Sequence, residues 1–126
     1  MGARKYIGRL QELPTPFYFY DMDLLRSTLA TAVSEASRYG YRIHYALKAN
    51  FDPHIVETIR QAGLGADCVS GNEVRAAIEA GFPAEGIVFA GVGKTDREIE
   101  YALGQDIFSF NCESAAEMEA INAIAE

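Results

Sequence analysis

Short apolar runs and helical stripes alternate along most of the chain. Four runs, Arg42–Leu47 (RIHYAL), Gly65–Val69 (GADCV), Gly86–Ala90 (GIVFA) and Asp106–Phe110 (DIFSF), recur at intervals of about 20 residues and have the length of buried strands. Each gives way to a segment of helical period that carries its own start signal. After the first run, Asp52 suits an N-cap, Pro53 the first helical position and Gly63 a left-handed stop. After the second, Ser70 and Glu73 make an S-x-x-E capping box ahead of Val74, Ala77 and Ile78, and Gly81 closes the helix. Thr95 with Glu98 and Ser114 with Glu117 repeat the box, ahead of Ile99, Ala102 and Leu103 and of Met118, Ile121 and Ile124.

Strand, loop and helix in that order, four times, predict a parallel sheet. The repeat is small enough for the N-terminal half of a (β/α)8 barrel, with four βα units over 41–126. A different arrangement precedes it: a tail over 1–13, an aromatic strand at Pro14–Asp21 (PTPFYFYD), and a long amphipathic helix from near Asp23 to Gly40 carrying Leu25, Leu29, Ala32, Val33 and Ala36. The array stops at Glu126 inside the fourth helix, and half a barrel leaves two strand edges open. The expectation is a part of a longer protein, or a unit completed by self-association.

Composition narrows the partners. The formal net charge is −7 over 126 residues, the acids are spread through the helical segments, and no basic run is present. Phosphate backbones and anionic membrane surfaces are met with clustered Lys and Arg, so neither nucleic acid nor a membrane is expected as a partner. MGARKYIGRL lacks the apolar core of a signal peptide, and Cys68 and Cys112 fall in predicted strands without CxxC spacing. They read as reduced core cysteines of a cytoplasmic protein.

Lys48 is the residue that changes the picture. In HYALKAN (His44–Asn50) strand alternation puts His44, Ala46 and Lys48 on one face and Ile43, Tyr45 and Leu47 on the other. The apolar set suits the helix side, so Lys48 stands at the C-terminal end of the inner face, where barrel enzymes keep their chemistry. Two readings follow: a lysine snorkelling to solvent or pairing with Asp67, or an amine poised to form a Schiff base. Ala46 below it leaves room for a planar ring. Asp67 alternates with Cys68, and the sequence leaves open which of the two faces inward. Ser70 serves equally as a helix cap or as a cofactor contact. Asn50 touches the ring or shapes the turn, His44 reads as a satisfied interior histidine, and His54 as a solvated one. The loop GVGKT (Gly91–Thr95) is a flexible turn into a capped helix and not a P-loop, because Val88 stands where the first glycine is required.

PTPFYFYDMDLL, YALKAN, GLGADCVSGNEVRAAIEAGFP, IVFAGVGKTDREI and FNCES, in that order from Pro14 to Glu126, resemble the N-terminal part of the diaminopimelate decarboxylase family. These belong to the alanine-racemase-like, fold-type III pyridoxal-phosphate enzymes. The resemblance implies a (β/α)8 barrel binding pyridoxal 5'-phosphate together with a β-rich domain to which the aromatic strand belongs. It implies that Lys48 holds the cofactor as a Schiff base, that Asp67 favours the protonated imine, and that Ala46 and Ser70 line the cofactor. The family reaction removes CO2 from the D-configured centre of meso-diaminopimelate to give L-lysine, and the family works as a homodimer.

Departures qualify the match. Many relatives carry asparagines where this chain has Val92 and Gly93, which weakens any claim of substrate contact there. The family's glycine-rich phosphate loop, its acid on the pyridine nitrogen, its ring-stacking histidine, its substrate-binding arginine and tyrosine and the cysteine lent by the second subunit have no counterpart in the chain. The expectation is that these residues alone hold cofactor weakly and do not decarboxylate. Alternative readings are a sister decarboxylase for ornithine, arginine or carboxynorspermidine, or a non-enzymatic pyridoxal-phosphate-binding barrel protein.

Overall fold

The computed structural model describes residues 3–126. A 3₁₀ turn at Ala3–Tyr6 leads into a short helix α1 (Ile7–Leu10), and the long helix α2 spans Met22–Ser37. Then strands and helices alternate: β1 (His44–Ala46), α3 (Pro53–Gln61), β2 (Gly65–Cys68), α4 (Gly71–Glu79), β3 (Ile87–Phe89), α5 (Asp96–Gly104), β4 (Ser109–Phe110) and α6 (Ala115–Ala125). The strands pair in parallel in the order β1-β2-β3-β4. Sequential order with a helix in every crossover is the pattern of a (β/α)8 barrel; a doubly wound sheet would reverse direction at a switch point. The predicted half-barrel architecture is therefore the observed one.

The helices form because their ends are satisfied. Asp52 accepts from the His54 N–H at 2.9 Å with Pro53 at the first helical position, and Gly63 and Gly81 follow α3 and α4 at φ +85° and +84°. Ser70 and Ser114 accept from the N–H groups of Glu73 and Glu117 at 3.2 and 3.1 Å. The return half of these two boxes differs from the motif. Glu73 and Glu117 reach one residue further, to the N–H groups of Val69 (2.8 Å) and Glu113 (2.6 Å), while Glu98 alone returns to its own N-cap, the Thr95 N–H, at 3.0 Å.

Register decides which side chains meet the helices. Tyr45 pairs with Ala66, Ala66 with Ile87, Cys68 with Phe89 and Phe89 with Phe110, and this set packs with Ile55, Val56, Ile59, Val74, Ala77 and Ala102 into one core. Each fully buried Ile, Leu or Phe in it contributes about 1.5–3 kcal/mol. His44, Ala46, Gly65, Asp67, Val88 and Ser109 occupy the other face, which no helix covers. At the N-terminal end of that face His44 stacks on Phe108, ring centroids 6.5 Å apart.

Two expectations need correction. Pro14–Asp21 does not form a strand: no ladder pairs with it, and it runs as an irregular segment whose Tyr18 is 90% exposed. Aromatic content favours strands only where a neighbouring strand supplies hydrogen bonds. Cys112 lies beyond β4 and is exposed, whereas Cys68 is a buried core residue whose thiol is pushed up to about 12, first by burial and then by Glu73 and Asp67. Both cysteines are free.

Gly65 is the tightest point of the open face. A Cβ there would lie 2.4 Å from the Gly86 carbonyl oxygen and 2.4 Å from His44 Cδ2. Replacing it with alanine forces backbone apart and should cost about 2 kcal/mol, read as a lowered urea midpoint at unchanged slope.

Candidate functional site

The C-terminal ends of β1 and β2 bring two of the four candidate residues, Ala46 and Asp67, into register. Register places Ala46 directly opposite Asp67 on the open face, and this settles the alternation left open by the sequence in favour of Asp67 inward and Cys68 in the core. Asp67 Oδ1 is buried and has no hydrogen-bond partner. A buried oxygen left unpaired costs about 1–3 kcal/mol. Ser70, three residues on, caps α4; its oxygen accepts from Glu73, which leaves its own proton free to donate.

Lys48 is not the last residue of a strand. β1 ends at Ala46, and Leu47–Ala49 turn as a 3₁₀ helix. Leu47 drops into the core at 0% exposure and the Tyr45 hydroxyl donates to the Asn50 carbonyl at 3.2 Å, which draws the chain round early. Lys48 itself is exposed on this turn, next to β2. The chain has three lysines, and their surroundings differ sharply. Lys5 pairs with Asp23 at 2.8 Å, and that hydrogen bond, reinforced by Tyr6, raises its pKa and keeps it protonated. Lys94 is 1% exposed and donates to Gly91 O (2.8 Å), Asn111 O (3.0 Å) and Glu117 Oε1 (2.7 Å), so all three of its protons are used. Lys48 has no hydrogen bond or ion pair among the described residues.

Lys94 also corrects the reading of Gly91–Thr95 as a flexible turn. Its ammonium ties the loop after β3 to the loop after β4, a contact that no local pattern announces because Glu117 looks complete as a helix cap. Glu98 does the same between the second and third units, accepting from the Gly71 N–H at 2.8 Å as well as from Thr95. His44 sits at the far end of the open face with its ring packed by Phe108; among the described residues it makes no hydrogen bond, so it is not the satisfied histidine expected, and it lies away from Lys48. His54 is exposed, as expected. A cleft of ≈ 360 Å³ lined by Val33, Tyr41, Ile43, His44, Gly65 and Gly86 also lies at the N-terminal strand ends, away from Lys48. Among the described residues no cluster of His, Cys, Asp and Glu could hold a metal ion, and no helix is long and apolar enough to cross a membrane.

Among the described residues, the C-terminal rim of this parallel half-barrel carries Lys48, which has no hydrogen bond or ion pair, and Asp67, whose buried Oδ1 is unpartnered. The chain belongs to the pyridoxal-dependent decarboxylases, matching the family's pyridoxal binding domain over residues 24–126. It is 53% identical over 120 residues to the diaminopimelate decarboxylase of Bacteroides thetaiotaomicron, covering 94% of this chain and 31% of that protein. It is 42% identical over 118 residues to the diaminopimelate decarboxylase of Aquifex aeolicus, covering 91% of this chain and 27% of that one. The crystal structure of the Helicobacter pylori diaminopimelate decarboxylase complexed with L-lysine superposes with a TM-score of 0.82 at 39% identity, covering 94% of this chain and 30% of that chain. The chain thus spans about a third of the length of the curated relatives it matches.

Two outcomes follow from the charges at this rim. The Thr95 N–H, the Gly71 N–H and the Thr95 hydroxyl hold Glu98 below the ordinary glutamate value of 4.5, and the Glu113 N–H followed by Lys94 does so for Glu117. Groups depressed on folding stabilise fully above their unfolded value, and that stability is lost as pH falls through the depressed values. Glu98→Gln should therefore flatten the fall in melting temperature measured between neutral pH and about pH 3. Asp67→Ala removes the unpaired buried oxygen and should raise the stability of the cofactor-free chain by about 1 kcal/mol in urea unfolding.

Proposed function

We propose that the chain forms the lysine-bearing half of a pyridoxal-phosphate-dependent decarboxylase that converts meso-2,6-diaminopimelate to L-lysine and CO2. The observation that carries this is that Lys48, without a partner among the described residues, stands two residues past Ala46, which pairs in register with Asp67, whose buried Oδ1 is itself unpartnered. The residues fit the cofactor. Lys48 supplies the amine that anchors its aldehyde carbon, Ala46 leaves space on the sheet for a flat ring, and the free proton of Ser70 is a donor at the rim. Pyridoxal phosphate, when bound, supplies the electron sink that drains the bond to a departing carboxylate.

The remaining work belongs to the chain. Asp67, facing the same end of the sheet, favours a positive charge on the nitrogen that Lys48 contributes, and pairing satisfies its buried oxygen. With the cofactor bound, Lys48 would be the group that a substrate amine displaces, and its freed amine would be a base at the rim able to hold or return a proton. Tight core packing behind Ala66, Cys68 and Phe89 keeps water from the helix side. A homodimer in the cytoplasm belongs to the same reading: β1 and β4 have unpaired outer edges, and two free cysteines, one of them exposed, suit a reducing compartment.

The decisive experiment is to add pyridoxal phosphate, fix the product with borohydride and map it by mass spectrometry. A visible band bleached by borohydride, with the added mass on Lys48 and not on Lys5 or Lys94, is the expected result. Lys48→Ala should abolish it and Asp67→Ala should weaken it. Equal labelling of all three lysines would overturn the assignment.

A further inference from the structure

We propose that Asn50 is a positioning residue that fixes the turn carrying Lys48, with Tyr20 as its strut; the consequence for cofactor binding rests on the function proposed above. Lys48 has no partner of its own, so its amine is placed by its backbone alone. That backbone is pinned on both sides. Leu47 is fully buried on one side, and on the other Asn50 is held by three separate parts of the chain. Its carbonyl accepts from the Tyr45 hydroxyl of β1 at 3.2 Å, its Oδ1 accepts from the Asp52 N–H at the start of α3 at 2.9 Å, and its Nδ2 donates to Tyr20 Oη at 3.1 Å.

The orientation of the amide is not arbitrary. The Asp52 N–H can only donate, so the oxygen must face it and the NH2 must face Tyr20. Burial pushes the Tyr45 hydroxyl pKa upward, which keeps it neutral and donating. Tyr20 comes from the irregular segment before α2, thirty positions away in sequence. This gives the aromatic segment a role its failure to form a strand would otherwise leave unexplained: it braces the lysine turn from outside the sheet. A catalytic amine displaced by a fraction of an ångström loses much of the advantage of proximity.

The test uses the full chain with Asn50→Ala, Tyr20→Phe and Asn50→Asp. The aspartate keeps the acceptor for Asp52 and can accept the Tyr20 hydroxyl proton, so it should rescue. Two readouts are taken: hydrogen exchange of the peptide covering 47–52, and pyridoxal phosphate affinity from the borohydride-sensitive band. Asn50→Ala and Tyr20→Phe should speed exchange in that peptide and weaken cofactor binding about five-fold, with Asn50→Asp near the parent. Tyr20→Phe keeps the ring and should leave the global unfolding midpoint unchanged, so it reports the turn even if Asn50→Ala folds poorly. Parent-like exchange and parent-like affinity in both variants would overturn the proposal. If the parent chain forms no band at all, the cofactor reading fails, and exchange in 47–52 still decides the role of Asn50: faster exchange supports it and unchanged exchange overturns it.

Discussion

Parallel pairing of β1 with β2 sets Ala46 opposite Asp67, and the whole site depends on that register. A slip of one residue would turn the Asp67 carboxylate into the core space that Cys68 now fills and bring Cys68 to the open face. Nothing in the core could satisfy an ionised carboxylate, because its lining is Leu47, Val74, Ala77, Ile87 and Phe89. Hydrophobic burial behind the sheet and charge at its rim are thus consequences of one alignment. The same alignment crowds Gly65 between His44 and Gly86 at the N-terminal end of the open face.

The two lysines at this rim show how environment divides labour between identical groups. The Lys94 side chain is shielded from solvent, and its three donors meet two main-chain carbonyls and one carboxylate, so it serves as a clamp and has nothing left to offer a ligand. Lys48 is exposed and unpaired. The GVGKT loop fails the P-loop spacing in the sequence, and the contacts show what its lysine does instead. Asp67 completes the contrast, since it is an acid whose buried oxygen has no cation of its own.

Much of the architecture was legible because its signals are local. The strand spacing, the caps at Asp52, Ser70 and Ser114, and the stops at Gly63 and Gly81 are each decided by a few neighbouring residues, and they read correctly. Lys48 and Asp67 stood out through a charge placed in an apolar strand and through the family resemblance. What escaped reading depends on distant partners. Pro14–Asp21 has strand composition but no strand to pair with. Cys112 sits past the end of a β4 only two residues long. Strand alternation was extended to Lys48 although the insertion of Leu47 and the Tyr45–Asn50 contact turn the chain two residues sooner. The bridges from Glu98 to Gly71 and from Lys94 to Glu117 span 27 and 23 positions, beyond any periodic pattern.

Those two bridges also divide the fold unevenly. Glu98 couples the start of α4 to the start of α5, and Lys94 couples the loop after β3 to the start of α6, so the last three units are laced together in series along their upper edge. The first unit is outside the lacing: among the described residues no side-chain hydrogen bond or ion pair ties it to the second, and it joins the rest through its ladder with β2 and the shared core. Sub-global opening should therefore be a two-tier affair, the latter three repeats yielding as one cooperative block while the lysine-bearing segment can loosen on its own.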